Sequence, residues 1–168
     1  EIEILINTKC GNDDVKRAFL FSCFTGLRIS DVRNLEWEDV KDEMIDFRQK
    51  KTKGYEYLPL SKTAMEILKS NEGNIHKLRT GKIFDLLSKD YANVIVKDWV
   101  KRAGITKKIT YHNSRHTFAT MSLSQGVDLF TVSKLLGHCN VRVTQVYAKI
   151  IDSVKRDAVN KLPYIKVS

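Results

Sequence analysis

NDDVKRAFLFSCFTGLRISDVRNLEW, residues 12–37, holds a helix start, a buried helix and an arginine set between that helix and the next in one continuous run. Asn12, Asp13 and Asp14 supply a cap and first-turn acids. Val15, Ala18, Phe19, Ser22 and Cys23 then keep helical spacing, while Leu20, Phe21 and Phe24 fill the other sides. The pattern predicts a helix buried nearly all round. A second short helix fits Ser30 to Leu35. Arg28 lies between the two, with apolar neighbours that desolvate it in part. An arginine held there needs an anionic partner, either a carboxylate such as Asp31 or a bound phosphate. Both readings stay open at this point.

Downstream the pattern changes. Met44–Gln49 and Tyr55–Leu60 are rich in aromatic and branched residues and predict two strands, joined by a turn through Lys50-Lys51-Thr52-Lys53-Gly54. Ser61 can cap a helix through about Lys69, and Ser88 a longer one with an apolar stripe of Ala92, Ile95, Val96, Trp99 and Val100. Gly104 ends it. Further helices are expected at about 113–124, 128–137, 141–150 and 151–161, punctuated by Gly126 and Gly137. The expected fold class is mainly α with a small antiparallel β-sheet (α+β). One domain over 1–168 is expected, with 1–11 linker-like and 151–168 a C-terminal helix and tail.

Composition sets outer bounds. The chain has 168 residues, enough for one domain with a real core. Hydrophobic residues make up 42%, which argues against disorder. Lys and Arg number 29 against 20 Asp and Glu, a formal charge of +9 that suits a polyanionic partner. Charge alone also fits acidic proteins or membranes. The three cysteines, Cys10, Cys23 and Cys139, make no CxxC pair, and a reducing interior is the simpler reading. No apolar run is long enough for a membrane span, and no signal peptide is visible. The start at Glu1 reads as a fragment of a longer protein.

Four clusters have chemical potential. His112-Asn113-Ser114-Arg115 puts a His and an Arg on one side of a helix start, where free backbone N–H groups also favour phosphate. Its plain reading is a helix cap with a surface Arg. Gly137-His138 precedes Tyr147 by nine residues from the histidine, on a short helix Val141–Ile150. That pair also reads as a loop histidine and a half-buried tyrosine. Arg28 is the third cluster, and the hairpin lysines, otherwise solvated charges, are the fourth.

Taken in order, these residues resemble the tyrosine recombinases: the phage integrases and the Xer and Cre recombinases. The resemblance covers about Asp13 to Asp157. TGLRISDVRNLEW (25–37) is similar to the family's first-arginine segment, YHNSRHTFAT (111–120) to its HxxR segment, and LLGHCNVRVTQVYAKI (135–150) to its GH-and-tyrosine segment. KKTKGYEYLPL (50–60) is similar to its β-hairpin, and counting back from Pro59 selects Lys51 as the family's lysine. The resemblance implies a tyrosine-recombinase catalytic-domain fold and a catalytic set of Arg28, Lys51, His112, Arg115, His138 and Tyr147.

It implies the following chemistry. Arg28 and Arg115 grip the non-bridging oxygens of a phosphodiester as charge develops on them. His112 is the candidate general base for Tyr147, His138 a second donor to the phosphate, and Lys51 the general acid for the leaving 5′-oxygen. A 3′-phosphotyrosyl link and a free 5′-hydroxyl result. No metal or other cofactor is expected. Tyr111 is the most plausible competing nucleophile. The expected partner is double-stranded DNA, gripped through phosphates by Lys50, Lys53, Lys97, Lys101, Arg102, Lys107 and Lys108. The family implies a second DNA-binding domain ahead of this one, a homo-tetramer on DNA for the full-length protein and a monomer for the fragment. It also implies no membrane association and a bacterial, cytoplasmic, nucleoid-associated setting in a mobile element or phage. A type IB topoisomerase, or a DNA-binding module without activity, are the competing readings.

Overall fold

The computed structural model describes residues 1–48, 55–70, 81–138 and 140–147, with Val159 and Pro163 beyond them. The chain packs as two compact units, Glu1–Phe118 and Ala119–Ser168. Both are helical, and the first also carries a three-stranded antiparallel sheet. This is the mainly α, small-sheet class that the sequence pattern leads one to expect.

In the first unit, α2 (Asp13–Thr25) is the central helix. Asn12 caps it by accepting from the Val15 N–H at 2.9 Å. Val15, Ala18, Phe19, Leu20, Phe21, Ser22, Cys23 and Thr25 are all buried, so the helix is enclosed on nearly every side. Phe19 meets Trp99 and Tyr111 edge to face, with centroids 5.8 and 5.7 Å away. Against α2 pack α3 (Ile29–Val32), α4 (Lys62–Lys69) and α5 (Lys89–Arg102), while a 3-10 turn (Trp37–Asp39) follows α3 in the chain. Ser61 and Ser88 cap α4 and α5 by accepting from Ala64 and Tyr91 N–H groups, as their sequence positions suggest. Gly104, at φ 71°, ends α5. The Gly104 and Ile105 N–H groups return to Lys101 and Val100 carbonyls, a left-handed glycine stop.

Two features depart from the sequence expectation. The linker-like stretch 1–11 contains a helix, α1 (Ile2–Asn7), with Leu5 and Cys10 buried. Distant groups hold it: Lys16 Nζ donates to the Ile6 and Thr8 carbonyls at 2.6 and 2.9 Å, and Trp99 Nε1 donates to Thr8 at 3.1 Å. A strand β1 (Val40–Lys41) also precedes the expected pair, now β2 (Met44–Arg48) and β3 (Tyr55–Pro59), in the order β1-β2-β3. Val40 pairs with Ile45 and Lys41 with Met44, which leaves Asp42-Glu43 as a two-residue turn. Both turn residues have positive φ, 48° and 60°, the geometry usually supplied by Asn-Gly. Ile45, Phe47 and Leu58 face the core, and Tyr57 faces outward.

Helix α6 (Asn113–Ser124) begins in the first unit and ends in the second. The second unit continues with α7 (Leu129–Leu135), capped by Asp128, and a 3-10 helix Val141–Tyr147. An α-helix over 141–150 was the sequence expectation. The observed turn is tighter through Tyr147, and residues 148–150 lie outside the described residues. So do the hairpin turn 49–54 with Lys50, Lys51 and Lys53, Cys139, and the expected helix at 151–161 apart from Val159. Among the described residues, no helix is long and apolar enough to cross a membrane.

Packing around α2 generates a chemical prediction. Cys23 is fully buried, and burial pushes its thiol up to about 12 against the opposing hydrogen bond from Thr117. Only the thiolate alkylates readily. Iodoacetamide at neutral pH should therefore leave Cys23 unmodified in the native chain and modify it in denaturant, as read by peptide mass mapping. Native labelling at the denatured rate would contradict this packing.

Candidate active site

The first cluster grows from the end of α2. Gly26 takes the left-handed conformation, φ 71° and ψ 6°, and its N–H donates to the Ser22 carbonyl at 2.9 Å. That turn reverses the chain and directs the Gly26 carbonyl toward α6, where Arg115 Nη1 donates to it at 2.7 Å. Arg115 is only 6% exposed. Two residues on, Arg28 is extended and forms the N-cap of α3. One buried hydrogen bond thus ties the turn bearing the first candidate arginine to the side chain of the second.

The approach to α6 is fixed from three directions. The Tyr111 N–H donates to Asn93 Oδ1 of α5 at 2.9 Å. Ser22 Oγ spends its proton on the Ala18 carbonyl at 2.9 Å, so the Tyr111 hydroxyl is the donor across the 3.0 Å contact to Ser22. Asn113 Oδ1 accepts from both the N–H and the hydroxyl of Thr110, at 2.8 and 3.0 Å. His112 follows Tyr111 at the surface. Partial burial of its ring, then the charges of His116, Arg115, Lys89 and Arg28, hold it below the ordinary histidine range. Its imidazole is therefore neutral at pH 7 and able to take a proton. Tyr111 is excluded as a nucleophile: it is 1% exposed, and burial drives its hydroxyl far above the ordinary phenol range.

The second cluster lies in the second unit. Gly137, at φ 58°, closes α7, with its N–H on the Lys134 carbonyl at 2.7 Å and the His138 N–H on the Ser133 carbonyl at 3.0 Å. This paired closure delivers His138 directly after the glycine. His138 Nδ1 then makes a 2.9 Å hydrogen bond with Thr144 Oγ1, and Thr144 is fully buried. Thr144 lies on the same 3-10 helix as Tyr147, three residues before it, so the two share one side. Tyr147 is half-buried.

Asn93, Lys89 and Thr144 are site neighbours that the sequence pattern did not single out. Lys89 looks like any first-turn lysine, and Asn93 looks like a polar helix position. Thr144 alone carries a signal, its three-residue spacing to Tyr147. Of the remaining cations, Lys97, Lys101, Arg102, Lys107 and Lys108 are exposed. Arg102 pairs with Asp98 at 2.5 Å, and Lys107 with Glu1 at 2.8 Å. Among the described residues, no group of three or more His, Cys, Asp and Glu is placed to hold a metal ion.

The Thr144 contact should fix the His138 ring. Thr144→Val should change the His138 tautomer balance in ring nitrogen NMR spectra while leaving the fold intact by circular dichroism. Unchanged His138 ring resonances would show that the contact does not orient it.

Comparison with known proteins follows these two clusters. The Phage integrase family model matches residues 2–153. A tyrosine recombinase of Pseudothermotoga lettingae is 33% identical over 169 residues, covering 96% of this chain and 58% of the relative. A crystal structure of XerA recombinase superposes with a TM-score of 0.69 at 25% identity, over 92% of this chain and 65% of that one. The catalytic domain of bacteriophage HP1 integrase gives a TM-score of 0.67 at 24% identity, over 96% and 89%. The chain spans about half the length of the curated relatives it matches. It belongs to the phage integrase family, the tyrosine recombinases.

Proposed function

We propose that this chain is the catalytic domain of a site-specific DNA recombinase acting on double-stranded DNA. The buried Arg115–Gly26 hydrogen bond carries the reading, because it joins the two arginine-bearing segments at one place beside a neutral histidine. In this proposal Arg28 and Arg115 hold the non-bridging oxygens of one phosphodiester and stabilise the charge that grows there. Tyr147 Oη attacks the phosphorus, its proton passes to His112, and the bond to the 5′-oxygen breaks. Lys51 gives that oxygen a proton, and His138 donates to the phosphate. The product is a 3′-phosphotyrosyl ester and a 5′-hydroxyl. Attack by a 5′-hydroxyl reverses the steps and rejoins a strand with no nucleotide cofactor.

Lys50, Lys53, Lys97, Lys101, Arg102, Lys107 and Lys108 are proposed to contact DNA phosphates. Arg102 and Lys107 would first exchange their present carboxylate partners. The longer protein is proposed to act as a tetramer on DNA and the fragment to be a monomer, in a bacterial cytoplasm on the nucleoid, encoded by a phage or mobile element. The relatives' name, tyrosine recombinase, favours this reading over DNA relaxation.

Two variants test it. Tyr147→Phe should abolish covalent protein–DNA adduct on a nicked suicide substrate while gel-shift binding persists, and adduct formation by this variant would remove Tyr147 as nucleophile. Arg115→Ala should slow adduct formation by on the order of 100–1,000-fold, the cost typical of losing one preorganised donor. A change under about tenfold would show that Arg115 is structural only.

A further inference from the structure

The proposed chemistry uses His112 and leaves its neighbour His116 without a role. The two lie one helical turn apart, and their rings meet edge to face, with centroids 4.9 Å apart at 88°. We infer that His116 is a positioning residue for His112: its ring, meeting the neighbouring imidazole edge to face, sets that ring's plane and brings a second imidazole charge close to it. In the proposed chemistry His112 takes the proton of Tyr147, so the inference rests on the strand-cutting reading above.

Geometry supports the first part. A perpendicular ring contact at this distance favours one orientation of each imidazole. His112 is otherwise at the surface, ahead of the first turn of α6. His116 is inside the helix, so its backbone is fixed.

Electrostatics supports the second. The charged groups acting on His112, among the described residues, come from three elements: Arg28 at the α2–α3 turn, Lys89 at the start of α5, and Arg115 and His116 on α6. Each of these opposes protonation of His112. The arginines and lysine are cations throughout the neutral range. Two imidazolium rings this close repel. A positive charge on His116 opposes one on His112. Removing that charge lets His112 protonate at higher pH, and the acid limb of strand cleavage moves up.

The test compares the wild-type chain with His116→Gln and His116→Arg. The chain has 4 histidines, few enough to follow each ring by NMR titration. His116→Gln should raise the His112 midpoint. His116→Arg, a permanent cation on an exposed site, should leave it at or below the wild-type value. The acid limb of adduct formation on a suicide substrate should move in the same two directions. Unchanged His112 midpoints in both variants would overturn the inference, as would a rate lowered equally at every pH. The NMR readout needs no activity. If the midpoints move but wild type forms no adduct at any pH, the ring coupling is supported and the strand-cutting reading is what falls.

Discussion

A guanidinium buried against a backbone carbonyl organises this chain. Arg115 is almost fully removed from solvent, and its Nη1 reaches the Gly26 carbonyl at 2.7 Å. A buried charge is tolerated only where donors and dipoles compensate its lost hydration. The glycine is needed for that arrangement. A residue with a Cβ pays roughly 1–2 kcal/mol to hold positive φ, and without that φ the carbonyl would not face α6. The rest of the first unit keeps α2 and α6 at the distance this bond requires. Phe19 wedges between Trp99 and Tyr111, and the Tyr111 hydroxyl bonds to Ser22 on α2.

The same wall accounts for the state of His112. Partial burial of its ring and then the charges of His116, Arg115, Lys89 and Arg28 hold it neutral, in surroundings that suit an anionic guest. A phosphate placed there would be attracted by the arginines while the histidine stays ready to accept a proton. The second unit meets a simpler demand. A glycine closure and one hydrogen bond to buried Thr144 place His138 beside the short helix bearing Tyr147.

Much of this was legible in the sequence because it is local. The Asn12, Ser61 and Ser88 caps, the all-round burial of α2, the span of α6 and the Gly104 and Gly137 stops each depend on residues within a few positions. What was illegible depends on partners far along the chain. Helix α1 is held by Lys16 and Trp99, and neither can be inferred from residues 1–11. Strand β1 turns through Asp42-Glu43, which carries no glycine to announce positive φ. Lys89 and Asn93 matter only because α5 packs beside the start of α6. The order of the candidate catalytic residues was visible, whereas the Gly26 carbonyl that joins two of them belongs to the backbone and leaves no side-chain signature.

In the proposed chemistry Tyr147 forms the bond to DNA, while Arg115 is held against the Gly26 turn that leads into Arg28. Peptide mass mapping of the trapped adduct tests this most directly. The wild-type chain, incubated with a nicked suicide duplex and digested with protease and nuclease, should carry its nucleotide on the peptide containing Tyr147. A nucleotide on the peptide of Tyr91 or Tyr57, or no covalent adduct under conditions where the chain binds the duplex, would contradict it.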